Sequence, residues 1–175
     1  DAPVLSAIDD QSIDEDTILT YELSADDVDG DVLTYEASVD GNASVDLTGS
    51  TLTITPEQDF NGSIAVSVSV SDADETISDI FTLTVNPVND APVITQAPTA
   101  TTNEDIEVDI TLEGSDVDGD DLTYLLDQNS ADGDVTINGS IATFIGNQDF
   151  NGVTTFSYRV TDGELTSSSE TVSIT

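Results

Sequence analysis

The sequence predicts an all-β chain of two tandem seven-stranded Greek-key β-sandwiches placed end to end, and three observations carry that prediction. The acidic pentapeptide Asp27-Val28-Asp29-Gly30-Asp31 returns as Asp116-Val117-Asp118-Gly119-Asp120, a spacing of about 90 residues that is too long for a solenoid repeat and suits a small domain. Apolar and small polar residues alternate with period two, and no helical stripe interrupts them. Asp-Gly, Asn-Gly and Pro signals punctuate the alternation at short intervals, as in an antiparallel sandwich.

The repeat divides the chain into a first module at 1–89 and a second at 90–175, with a connector over 86–92. Asp1-Ala2-Pro3-Val4 opens the first module and Asp90-Ala91-Pro92-Val93 the second. An early strand carries Leu19, Tyr21 and Leu23 on one face, matched by Val108, Ile110 and Leu112. Leu33-Thr34-Tyr35 and Leu122-Thr123-Tyr124 begin the strand after the acidic motif. Thr51, Thr53 and Thr55 form a short row that resembles an ice-binding face but reads as the solvent side of a single strand. Ile64, Val66, Val68 and Val70 alternate with Ala65, Ser67 and Ser69, a strand with one buried face. Phe156, Tyr158 and Val160 hold the same phase in the second module. Phe81, Leu83 and Val85 form a last strand, answered by Val172 and Ile174. Pro87 and Pro92 fix φ in the connector and hold it extended rather than flexible. The repeat phase predicts further copies of the module on either side of the chain.

Composition narrows the function. The chain has 37 acidic residues, one arginine (Arg159), no lysine, histidine or cysteine, and a formal charge of −36 over 175 residues. Self-repulsion of that size opposes compaction, yet 37% of residues are hydrophobic and cleanly patterned, which disorder does not require. Divalent cations that neutralise carboxylate clusters resolve the tension, and the fold would then be loose without metal and firm with it. The acids outside the repeated motifs are too many to be ligands and read as a solvated surface. A nucleic-acid partner would need clustered Lys or Arg. Insertion in a membrane would need a long apolar stretch, and none is present. Without thiols or imidazoles, zinc and copper sites lack their usual donors, and oxygen ligands alone remain. Paired carboxylates could serve glycoside hydrolysis, but there is no Trp and little aromatic surface to stack a sugar. Nor is there a His, Cys or Lys for nucleophilic or base chemistry. A non-enzyme is expected. Arg159, the lone cation, is expected to pair with a neighbouring carboxylate.

Calcium takes about 6–8 oxygens from loops that converge on one point. In Asp-Val-Asp-Gly-Asp the alternate aspartates can point one way while Val28 and Val117 turn into the core, and Gly30 and Gly119 allow the tight bend. An Asp-Gly hairpin turn is the plain structural reading of the same residues. Recurrence beside Glu15 and Glu104 favours metal. An EF-hand fails: with Gly30 at loop position six, Ala25 falls at position one, and with Gly119 there, Gly114 does. The nonapeptide repeat of calcium β-helices is also absent.

Asp27-Val28-Asp29-Gly30-Asp31-Val32-Leu33-Thr34-Tyr35 resembles the cadherin Asp-x-Asp-x-Gly motif and the Leu-x-Tyr strand that follows it. Glu15 sits where cadherin repeats carry an early glutamate, and Asn89-Asp90-Ala91-Pro92 is similar to a shortened cadherin linker. Val70-Ser71-Asp72 and Val160-Thr161-Asp162 resemble the valine-x-aspartate of the late strand. With Asn-Asp-Ala-Pro-Val at the module start and Asp-Phe-Asn-Gly at 59–62 and 149–152, the whole chain resembles bacterial tandem cadherin-like repeats. In cadherins, calcium lies between modules. The resemblance therefore implies Ca2+ ligands from Glu15 and from Glu57 or Asp59 of the first module. It adds Asn89 and Asp90 of the linker, and Asp116, Asp118 and Asp162 of the second module. It implies outer half-sites at Asp1, Asp27, Asp29 and Asp72 and at Glu104 and Asp149, completed by neighbouring repeats. The implied function is a calcium-rigidified stalk of a large secreted bacterial adhesin, extracellular or on the cell surface, and monomeric. A second reading is a calcium-dependent module that binds polysaccharide or pairs with another copy.

Overall fold

The computed structural model describes residues 1–175, all of it strand, turn and loop. The chain forms two compact units, Asp1–Val88 and Asn89–Thr175. In the first, the strands are β1 (Val4–Leu5), β2 (Gln11–Asp14), β3 (Leu19–Glu22), β4 (Ala25–Asp26), β5 (Thr34–Val39), β6 (Ala43–Thr48), β7 (Thr51–Pro56), β8 (Gly62–Ser71) and β9 (Thr76–Asn86). They build a four-stranded sheet in the order β2-β9-β8-β5, a three-stranded sheet β3-β7-β6, and a short β1-β4 pair. The chain passes from one sheet to the other after β5 and returns after β7, which is Greek-key connectivity.

Nine segments are seven strands, because the first two are each split. β1 pairs antiparallel with β4, the continuation of β3. The chain then crosses to the other sheet without reversing, so β2 lies parallel to β9, with Gln11 opposite Leu83 and Asp14 opposite Asn86. Every other pair in the unit is antiparallel. This parallel edge departs from the wholly antiparallel sandwich the turn signals predict, because turns report only on strands that are neighbours in sequence.

Alternation explains the core. Ile64, Val66, Val68 and Val70 of β8 are buried, as are Phe81, Leu83 and Val85 of β9. All of these but Val70 pack in one cluster with Leu19, Leu23, Leu52 and Ile54. Each such side chain contributes about 1.5–3 kcal/mol on leaving water. Thr53 and Thr55 alternate with Leu52 and Ile54 and face outward, an ordinary solvent row.

The second unit repeats the plan with β10 (Val93–Gln96), β11 (Thr99–Ala100), β12 (Val108–Thr111), β13 (Glu113–Ser115), β14 (Thr123–Gln128), β15 (Gly133–Asn138), β16 (Ile141–Gly146), β17 (Thr154–Thr161) and β18 (Glu170–Ile174). Its sheets are β11-β18-β17-β14, β12-β16-β15 and β10-β13, with β11 parallel to β18. The core keeps volume while moving it between strands. Val66 opposes Phe81 in the first unit, whereas Phe156 opposes Val172 in the second. Ile54 becomes Phe144, and Ala43 and Pro56 become Gly133 and Gly146. A β-carbon on buried Gly133 would lie 2.4 Å from the Ile145 carbonyl and 2.5 Å from the Phe144 ring, so glycine there is the space that the larger ring needs. Tyr158 is fully buried and its hydroxyl donates to the carbonyls of Gln96 (3.2 Å) and Glu113 (3.4 Å), while burial pushes its pKa up. Arg159 bonds Asp127 at 2.9 Å, the expected local pairing.

Candidate metal centres

The acidic pentapeptide of each unit is a loop wound around its first aspartate. In the second unit Asp116 Oδ1 accepts from the backbone N–H of Asp118 (2.9 Å), Gly119 (3.1 Å) and Asp120 (3.4 Å). In the first, Asp27 Oδ1 accepts from Asp29 (2.9 Å) and Asp31 (3.1 Å), and Gly30 closes the turn onto the Asp27 carbonyl. Gly30 and Gly119 hold φ of +79° and +82°, which a side chain resists. The other oxygen of the same carboxylates, Asp27 Oδ2 and Asp116 Oδ2, is buried and has no hydrogen-bond partner. A buried carboxylate oxygen left unpaired costs about 1–3 kcal/mol or more.

Asp27, Asp29 and Asp31 bring one carboxylate oxygen each to within 4.8 Å of one another. The α-ammonium of Asp1 donates to Asp29 Oδ2. That bond, then the charges of Asp29, Asp27 and Asp72, hold the ammonium above the usual α-amino range. Asp27, Asp29 and Asp72 of the outer set inferred in the first module, with Asp1 beside them, lie at one end of that unit. Asp72 Oδ1 meanwhile accepts from the N–H of Asp74 (2.8 Å) and Glu75 (2.7 Å), which lowers its pKa.

The second unit assembles the corresponding residues. The N–H of Asp90 donates to Asp118 Oδ2 (2.8 Å), and the Asn89 side-chain amide donates to Asp162 Oδ2 (2.9 Å). Asp162 Oδ1 accepts from Glu164 and Leu165, both at 2.6 Å. The Asn89 amide first, then these backbone donors, hold the Asp162 carboxyl below its ordinary range. Five inferred ligands, Asn89, Asp90, Asp116, Asp118 and Asp162, thus share one end of one unit.

The opposite end of each unit carries a second acidic group. Glu15 is buried, and its carboxylate accepts the N–H of Val88 while its own N–H donates to Asn86 O (2.9 Å). Asp59 is half-buried and takes a left-handed φ of +55°, with its N–H on Asp16 Oδ1 at 3.2 Å. Asp149 repeats this on Asp105 at the same distance. Of the alternatives Glu57 and Asp59, Glu57 is exposed and Asp59 is the one tied to the loop of Glu15 and Asp16. Glu104 is exposed, unlike its counterpart Glu15.

Two features depart from the sequence reading. Val28 and Val117 do not enter the core; they are 83% and 57% exposed. The loop curls onto its own aspartate, and that turns the intervening residue outward. Asp16 and Asp105 were not singled out, although their recurrence at matching places after Glu15 and Glu104 was the available signal. Every donor in these groups is oxygen, with no histidine or thiol, so the chemistry fits a hard divalent cation.

The sequence profile of the bacterial Ig domain matches residues 1–86 and, a second time, residues 89–175. The chain belongs to the bacterial Ig-domain family. Among solved structures, human protocadherin-24 EC1-2 in crystal form II matches with a TM-score of 0.64 at 17% identity, over 99% of this chain and 97% of that one. Drosophila N-cadherin EC1-4 matches with a TM-score of 0.57 at 15% identity, over 99% of this chain and 49% of that one. An endo-fucoidan hydrolase of glycoside hydrolase family 107, MfFcnA4, reaches a TM-score of 0.42 at 18% identity over 98% of this chain. The chain spans 28% of that enzyme's length. Comparison with curated protein sequences gives no match. Identities this low speak for fold alone. The cadherin-like, Ig-like sandwich expected from the motifs is the fold these bacterial Ig domains have.

Proposed function

We propose that the two bacterial Ig domains are calcium-binding extender modules of a secreted bacterial surface protein, stiffened by the ion so that the string of modules projects a more distal part. The observation that carries this is the pair of buried, unpartnered carboxylate oxygens, Asp27 Oδ2 and Asp116 Oδ2, each in the same acidic loop. Asp116, Asp118, Asp162, Asn89 and Asp90 would hold one ion and Asp27, Asp29 and Asp72 another, with Glu15 and Asp59, and Glu104 and Asp149, as further oxygen donors at the opposite end of each unit. Calcium is favoured over magnesium because it accepts about 6–8 oxygens in flexible geometry, which loops of carboxylates can supply, whereas magnesium demands a small octahedron and keeps its water. A chain of charge −36 gains nothing from alignment until counter-ions bind its carboxylates.

Small-angle X-ray scattering in calcium and in chelator tests the extender role. A narrow distribution of end-to-end distances in calcium and a broad one in chelator are expected. Identical distributions in the two conditions would mean that calcium is not the stiffening element, and the reading would be abandoned.

A further inference from the structure

The two units differ at the end of the sheet that carries the parallel edge. In the first, β9 sets Val85 between Ile13 of β2 and Gly62 of β8. Val85 is 2% exposed, and the ring of Phe60 packs against the same core. The residues after Val85 close that end. Asn86 O accepts the N–H of Glu15 (2.9 Å), and the buried Glu15 carboxylate accepts the N–H of Val88. Register identifies the matching places in the second unit. Thr154 opposite Ile174 and Phe156 opposite Val172 repeat Ile64 opposite Leu83 and Val66 opposite Phe81. Ala100 beside Ile174 likewise repeats Gln11 beside Leu83. The ladder runs to Thr175, whose N–H donates to Ala100 O and whose carbonyl accepts from the Thr102 N–H, both at 3.0 Å. The place that corresponds to Val85, between Thr102 and Gly152, falls in a hollow of about 690 Å³. Its walls include Phe144, Phe150, Thr154 and Ile174, and exposed Glu104 and Asp105 also line it.

We propose that this hollow is an acceptor slot for a β-strand: it takes an extended segment of the pattern Val-Asn-Pro-Val, laid parallel to residues 102–104 and antiparallel to residues 152–154. The first unit shows how its own segment of that pattern, Val85-Asn86-Pro87-Val88, is held at the matching place. An apolar residue opposite Gly152 meets the rings of Phe144 and Phe150, and glycine leaves it room. The next carbonyl reaches the Glu104 N–H as Asn86 O reaches that of Glu15, and a later N–H reaches the Glu104 carboxylate. In strand addition such main-chain bonds supply affinity, and the pocket for the inward side chain supplies selectivity. Glu104 and Asp105 repel an acidic segment, so the polar place suits Asn rather than Asp. Proline brings no N–H and ends the ladder there. Filling the slot would bury Glu104 as Glu15 is buried in the first unit.

The test appends Val-Asn-Pro-Val directly after Thr175 and, in a control chain, the same four residues in the order Pro-Val-Val-Asn. Tethering holds either segment at a high effective concentration beside the slot, so order alone distinguishes them. The parent and both extended chains are compared by amide hydrogen exchange, NMR and calorimetry. All measurements are made in chelator, so the outcome is independent of the calcium reading. The Val-Asn-Pro-Val chain should slow exchange at the Glu104 N–H at least about tenfold, because opening the slot then breaks a ladder bond. It should also move the Phe150 ring resonances and raise the melting temperature of the second unit by several degrees. The control chain should do none of these, since proline at the first place removes a ladder N–H and puts no valine opposite Gly152. Equal Glu104 exchange in all three chains overturns the proposal. Equal protection by the two extended chains overturns it as well, since the hollow would then take any apolar chain end.

Discussion

Replacing Asp116 by Asn removes one charge and almost no volume at the centre of the second acidic loop. Oδ1 keeps its bonds from the N–H groups of Asp118, Gly119 and Asp120. The buried partnerless Oδ2 becomes an amide nitrogen. Without metal, two effects oppose. Loss of the buried anionic charge favours the variant, while the unpaired amide N–H groups that replace the oxygen cost about 1–3 kcal/mol and three charge-assisted bonds become neutral ones, each weaker by roughly 1 kcal/mol. The variant should therefore melt at or below the parent in chelator. With calcium at about 100 times its Kd, the parent gains about 2.7 kcal/mol per site. For a unit of this size each kcal/mol moves Tm by about 4–8 °C, so the second unit should rise by roughly 10–20 °C in the parent and scarcely at all in the variant. Differential scanning calorimetry in calcium and in chelator measures both, with the first unit and its intact Asp27 as internal reference. A variant that keeps the full calcium shift would refute the assignment of the buried oxygen to the ion.

Two further outcomes follow from the loops. Ala73 holds a φ of +85° where the second unit has Gly163 at +105°; Ala73→Gly removes a β-carbon strain of about 1–2 kcal/mol against a glycine entropy cost of about 0.5–1 kcal/mol, so urea denaturation should show the first unit stabilised by up to about 1.5 kcal/mol. A loss of stability would mean that the backbone there is not strained. The Asp162 carboxyl is held low chiefly by Asn89, so its contribution to stability is complete above the ordinary carboxylate range and disappears as pH falls through the folded-state pKa below that range. Asn89→Ala should bring the Asp162 midpoint back up in an NMR titration, and an unmoved midpoint would count against the Asn89 bond.

Much of the fold was legible because alternation is strict where the core is. Ile64, Val66, Val68 and Val70 announce a strand and its buried face together, and the recurrence of Asp-Val-Asp-Gly-Asp announces two units. The split of the first strand was not legible, since Val4 and Ile13 lie on one short stretch whose partners are decided by distant residues. At the candidate sites, residue types and grouping were readable from spacing and resemblance. Orientation was not. Val28 looks like a core residue in the pattern, yet hydrogen bonds from the Asp29 and Asp31 N–H groups to Asp27 curl the loop and turn the valine to solvent. The exchange of Ile54 for Phe144 with Ala43 for Gly133 is likewise a matter of three-dimensional space that no local window contains.

The parallel edge, β2 on β9, has a mechanical meaning. The two strands run side by side in the same sense over four residue pairs, so the start of one and the finish of the other lie at opposite ends of the pair. Tension drawn through the two ends of the unit acts along these strands, and the ladder bonds between them share the load together. A hairpin pulled open from one side instead breaks its bonds in sequence, each bearing the whole load in turn. The β2-β9 edge of the first unit is thus arranged as a shear clamp. Its resistance is set by the rate at which that patch of bonds fails, a kinetic quantity distinct from the free energy that holds the core.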